Sequence, residues 1–162
     1  AFQCYNTNSF ESVERLIRRG FYKGPLVMNW VAIGGGMDTP NVYSLGNFMR
    51  GVPDGAVVTV ESNVRNVLPV NMMGIAMGLH VRCGTEDVLW NQRRTAKQST
   101  VKQIEQLVRI SEEFGRDIAT AQQARDICKI GVFYDSADQA LAANGFAPNR
   151  KGGNQGFLHK SR

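Results

Sequence analysis

The hydrophobic positions of this chain follow two rhythms that alternate. Residues 2–5 read as a short strand. In SFESVERLIRRG, residues 9–20, Phe10, Val13, Leu16 and Ile17 fall on one helical face. Ser9 fits the N-cap and Gly20 the terminator. GPLVMNWVAIGGG is a continuous apolar run, the pattern of a strand buried on both faces. Residues 41–51 predict a helix, the PDG that follows predicts a turn, and AVVTV at 56–60 the next strand. Residues 69–77 predict a helix with Pro69 in its first turn, and LHVRC at 79–83 a fourth strand. Three helical patterns close the chain. In residues 100–114, Val101, Ile104, Leu107, Val108 and Phe114 share a face. A second helix begins near Thr120, which caps it, and residues 136–144 form a last short helix ended by Gly145.

Strand and helix thus alternate four times, with strands that look buried. That pattern predicts an α/β fold around a parallel sheet. An open doubly wound sheet and half of an eight-stranded βα barrel both satisfy it, and both place ligands at the C-terminal ends of the strands. The division expected is a main body over residues 1–145 and a glycine-rich, irregular tail over 146–162.

Composition narrows the class. With 162 residues and 43% hydrophobic positions, the chain can bury a core and does not belong with disordered sequences. The longest apolar run lies within 26–33, too short to span a bilayer, and no signal-peptide pattern is visible. Three cysteines, Cys4, Cys83 and Cys128, show no CxxC spacing, which points to a reducing, cytoplasmic setting. The net charge of +5 suits phosphate groups or nucleic acid. Its basic residues are scattered without an aromatic-basic platform, so no nucleic-acid partner is expected. The chain opens on AFQCYNTNSF without a methionine and reaches its first strand at once, as a piece of something longer would.

The strand exits carry the chemistry. The second ends in IGGGMDTP, where Gly34, Gly35 and Gly36 suit either a flexible loop or a backbone cradle for an anion. It has neither P-loop nor GxGxxG spacing. The third runs into ESNVRNVLP, where Arg65 is a candidate anion ligand or a solvated side chain. The fourth runs into RCGTED. Arg82 alternates with Val81 and Cys83 and so faces away from them, into the mouth of a barrel if there is one. A charge there needs a partner or an anionic ligand. Glu86 and Asp87 are adjacent, diverge from each other, and can divide two tasks, metal ligand and general base. Alternatively, they are acids at a helix N-terminus.

GLHVRCGTEDVLW, followed by STVKQIEQLVRISEEFGRDIATAQQARDI, resembles the C-terminal part of the β-keto acid cleavage enzymes. SFESVERLIRRGFYKGPLVMNWVAIGGGM is similar to the barrel units that precede it in that family. The resemblance covers roughly residues 5–145. It implies a (β/α)8 barrel nearly twice this length, a divalent metal, usually zinc, and acetyl-CoA or another acyl-CoA as co-substrate. It further implies a β-keto acid substrate and a homo-oligomer, a tetramer in the family, or assembly with a complementing N-terminal half. By the same resemblance Glu86 matches a metal-ligand glutamate, Asp87 the base, Arg82 the cation that steadies the enolate, and Arg65 an arginine of the third strand exit. Departures are visible. The family's His-x-His metal pair has no counterpart, because the histidines here are His80 and His159. Gln3 stands where members tend to carry an acid, Val88 replaces an Asn, and Asn63 and Val64 stand where glycines precede the arginine. The competing expectations are a catalytically incomplete half-barrel used for assembly and an unrelated metal-dependent barrel lyase or aldolase.

Overall fold

Four strands pair in the order in which they occur along the chain. In the computed structural model, which describes residues 1–150, β1 (Phe2–Cys4), β2 (Val27–Ala32), β3 (Val57–Ser62) and β4 (His80–Val81) form one parallel sheet. The crossovers are α1 (Ser9–Arg18), α2 (Val42–Gly51) and α3 (Val67–Ala76), the last preceded by a single 3₁₀ turn at Val64–Asn66. After β4 come α4 (Thr100–Glu113), α5 (Ala121–Ile127) and α6 (Ala137–Ala143). No helix among the described residues is long and apolar enough to cross a membrane.

Register explains the two faces of the sheet. Cys4 pairs with Trp30 and Trp30 with Val60, while Met28 pairs with Val58. These side chains form the buried core with Val13 and Ile17 of α1, Leu45 and Phe48 of α2, and Val70 of α3. Burial holds the Cys4 thiol protonated, with its pKa pushed up to about 11. All three cysteines are free. Helix α3 lies so close that a Cβ on Gly74 would strike the side chain of Val60. One residue out of phase, Gln3 pairs with Asn29, Asn29 with Thr59, and Val31 with Glu61. The second face is therefore rich in polar groups, and the site is built on it.

Helix ends follow the local code. Asn41, Ser99, Thr120 and Ser136 each accept a hydrogen bond from a backbone N–H of the first turn, and Thr120 and Gln123 form a full capping box. Gly20 takes φ +74 and closes α1 as expected. Ser9 is the first helical residue rather than the cap; Asn8 holds that place without a side-chain bond.

Residues 146–150 have no regular secondary structure and are held by contacts: Phe146 packs on the core, Arg18 donates to the Ala147 carbonyl, and Asn149 donates to the Arg18 carbonyl. Just before them, Asn144 accepts from the Leu26 N–H at 2.7 Å and donates to the Gly24 carbonyl at 3.0 Å. The remainder of the expected tail, 151–162, lies outside the described residues. One expectation changes, in α4. Its inward stripe is Gln103, Leu107 and Ser111, whereas Val101, Ile104 and Phe114 are exposed. A tertiary bond sets this rotation: Gln103 Nε2 donates to the Val88 carbonyl at 2.9 Å.

Candidate active site at the strand ends

Arg82 leaves β4 on the polar face, and its backbone N–H still bonds the Val60 carbonyl. Its guanidinium meets three carboxylates. Nε lies 2.8 Å from Glu61 Oε2, while Nη2 lies 2.8 Å from Glu86 Oε2 and 3.1 Å from Asp87 Oδ1. The three acids differ in setting. The Glu61 and Asp87 side chains are 5% and 11% exposed, that of Glu86 84%. Three negative charges about one cation cannot all be compensated, and burial disfavours the charged form further. Desolvation accordingly raises the pKa of both Glu61 and Asp87, with Arg82 pulling each in the opposite direction.

The turn that presents the acids is held by its own backbone. The N–H groups of Asp87 and Val88 both bond the Gly84 carbonyl, and the Asp87 carbonyl accepts from the Val64 N–H. Thr100 Oγ1 at the start of α4 accepts from the Thr85 N–H. Asp87 Oδ2 is buried and has no hydrogen-bond partner among the described residues. One oxygen of this carboxylate is thus oriented by Arg82, while the other stays free to take a proton.

A cavity of about 290 Å³ opens beside this cluster, between the 3₁₀ turn and the loop after β4. Arg65, Glu86, Asp87, Trp90 and Arg94 are among its lining residues. The structure thus brings together four of the residues singled out in the sequence: Arg65, Arg82, Glu86 and Asp87. It does not bring the glycine loop to them. Gly34 and Gly35 take φ +78 and +71, and the Gly34 N–H already donates to the Asp38 carbonyl within the same turn. Asp38 is itself fixed by the indole N–H of Trp30 at 2.8 Å. The glycines serve this tight turn, and none of them lines the cavity.

The metal expectation rests on Glu86 alone. Among the described residues no three His, Cys, Asp or Glu side chains stand together in a metal-binding group. Catalytic zinc normally takes three protein ligands, so these residues do not complete a zinc site. His80 is exposed on β4, the last strand of the sheet.

Glu61 was not singled out in the sequence. The signal was available: a charged residue inside AVVTVES, alternating with Val60, has to face the polar side. A sequence model of the β-keto acid cleavage enzymes matches residues 1–130. This chain belongs to the β-keto acid cleavage enzyme family. It is 31% identical over 132 residues to a 3-keto-5-aminohexanoate cleavage enzyme of Acetoanaerobium sticklandii, covering 79% of this chain and 47% of that protein. A protein of the same name from Fusobacterium nucleatum is 29% identical over 128 residues, 79% of this chain and 46% of the relative. A 3,5-dioxohexanoate:acetyl-CoA acetone transferase of Paraburkholderia graminis is 26% identical over 136 residues, 80% and 43% of the two chains. The chain spans less than half the length of these relatives. Membership removes the unrelated lyase or aldolase from consideration.

Proposed function

We propose that this chain is the C-terminal half of a (β/α)8 β-keto acid cleavage enzyme and carries its proton-transfer machinery. The reaction moves a carboxymethyl unit: a β-keto acid and acetyl-CoA, or another acyl-CoA, give acetoacetate (or its analogue) and a new acyl-CoA. The half-barrel reading is supported by a sheet whose strands lie side by side in chain order, without the reversal of a doubly wound sheet. Relatives named for keto acid cleavage and for acetyl-CoA transfer support the chemistry. The observation that carries the proposal is Asp87, oriented through Oδ1 by Arg82 while its buried Oδ2 has no donor among the described residues.

In this reading Asp87 removes a proton from the carbon between the keto and carboxylate groups. Arg82 offsets the negative charge that develops. The carbanion attacks the thioester carbonyl and expels CoA thiolate. The thiolate then attacks the original keto carbon, the carbon–carbon bond breaks, and the proton held on Asp87 returns to the departing acetoacetate carbanion. No net proton is gained or lost. Glu86, the exposed acid, is the one carboxylate offered to a metal whose other ligands come from outside these residues.

The test is α-proton exchange with solvent, followed by NMR on the intact protein with keto acid alone. Asp87→Asn is expected to slow exchange on the order of 10²–10⁴-fold, the usual contribution of a general base. Exchange at the wild-type rate in that variant assigns Asp87 to capping the turn instead.

A further inference from the structure

We infer that the loop from Leu89 to Gln98, with Arg65, forms the subsite for the phosphate-bearing end of the CoA co-substrate. The inference rests on the acyl-CoA reading above and locates its second substrate. Between Leu89 and Lys102 the chain carries Arg93, Arg94, Lys97 and Lys102 and no acid. Among the described residues no carboxylate pairs with Arg65, Arg93, Arg94 or Lys97. Uncompensated cations beside a cavity are a site for anions, and Arg65 and Arg94 both line this one.

The loop is built rather than slack. Leu89 accepts from the Gln98 N–H, Trp90 pairs with Lys97 in an antiparallel bridge, and the Asn91 N–H bonds the Ala96 carbonyl. Asn91 Oδ1 accepts from the Thr95 N–H at 2.8 Å. Arg94 is held in the left-handed region at φ +58, a conformation a non-glycine residue adopts only when its surroundings impose it. Gln92 donates to the Arg65 carbonyl at 3.0 Å and ties the loop to the 3₁₀ turn. Lys97 stands 5.8 Å over the Trp90 ring, leaving an aromatic surface beside cationic groups.

The cavity joins this rim to the acids. Glu86 and Asp87 line it together with Val88, Leu89 and Trp90. A ligand with a reacting carbonyl, a weakly polar arm and a polyanionic end matches that sequence of surfaces. At about 290 Å³ the cavity is too small for a whole CoA molecule, so it takes the arm, and the phosphates sit at the arginine rim.

The experiment is a titration of the intact protein with CoA, pantetheine and ATP, read by the fluorescence of Trp90. Trp30 is fully buried and donates to Asp38, so it contributes a constant background; Trp90→Phe identifies the responding ring. Wild type is expected to bind CoA and to bind pantetheine far more weakly. Arg65→Ala and Arg94→Ala should each weaken CoA about tenfold or more, as expected for charge-assisted bonds, without changing pantetheine binding. In turnover, KM for acetyl-CoA should rise while KM for the keto acid stays. CoA binding at wild-type strength in the double variant overturns the inference. So does ATP binding as tightly as CoA, which marks a general polyphosphate site. The two readings separate cleanly: arginine-dependent CoA binding without keto acid cleavage upholds the subsite and sinks the proposed reaction. Cleavage with an unchanged KM for acetyl-CoA in the double variant does the reverse.

Discussion

Arg82 Nε stands 2.8 Å from Oε2 of Glu61 on the neighbouring strand, so the guanidinium at the mouth of the site is clamped from within the sheet. This leaves Nη2 to reach Glu86 and Asp87. The buried carboxylate has a cost that depends on pH. Desolvation raises the Glu61 pKa above its ordinary 4.5, outweighing the opposing pull of Asn29 and Arg82. The folded chain therefore binds this proton more tightly than the unfolded chain does. That contribution to stability is complete below the ordinary value and is lost as pH climbs through the raised one. Glu61→Gln keeps the shape and removes the titration. Its denaturant midpoint should fall less than that of wild type between pH 4.5 and neutrality. Parallel curves would show that Glu61 does not titrate differently in the fold.

In the proposed reaction Arg82 acts through geometry as much as through charge. A lysine offers one ammonium where the guanidinium sets Nε against Glu61 and donates from Nη2 to the acid pair. Arg82→Lys is expected to lower turnover of the intact enzyme about 10²–10³-fold, the usual loss when a fixed charge stabiliser is removed. The circular dichroism spectrum should be unchanged. Near-wild-type turnover would leave Arg82 a structural ion-pair partner.

Much of this was legible in the sequence. The alternation of strand and helix, the parallel sheet, the Gly20 and Gly145 stops and the cap at Thr120 follow from local rules, and the structure has them. The grouping of Arg82, Glu86 and Asp87 followed from their place at the exit of the fourth strand, although β4 itself is only two residues long. What was not legible depends on partners distant in sequence. Gln103 turns inward because Val88 offers it a carbonyl, which no helical periodicity encodes. Arg18 is buried because Glu14 and residues 147–149 surround it. The place of Glu61 in the site depends on Arg82, just beyond the next strand, which the pattern of the third strand does not encode.

Val64 follows the third strand at φ +51, in the left-handed region that a β-branched residue avoids. Its N–H bonds the Asp87 carbonyl at 2.9 Å, which ties the strained residue to the turn that carries Glu86 and Asp87. The strain costs on the order of 1–3 kcal/mol, and glycine relieves it at about 0.4–1 kcal/mol of added unfolded-state entropy. The Val64 side chain is about half exposed, so little packing is lost. Val64→Gly should leave the melting temperature unchanged or raise it by a few degrees. A clear drop would mean that the valine side chain holds the turn.

Helix α5 has a complete capping box yet buries none of its residues. A seven-residue helix is not stable in water by itself. Around it Ile118, Ile130 and Phe133 are exposed, and on α4 so are Val101, Ile104 and Phe114. β1 and β4 also end the sheet without strand partners among the described residues. Apolar surface and open strand edges of this extent favour association. Produced as these 162 residues, the protein is expected to run larger than a monomer in light scattering, or to exchange the α5 amides within seconds. Ile104→Asp with Phe133→Ser should shift the larger species toward monomer without altering the β2 and β3 core, whose amides should remain protected. A sharp monomer with protected α5 amides would mean that these faces need no cover, and would count against both the half-barrel and an assembled enzyme.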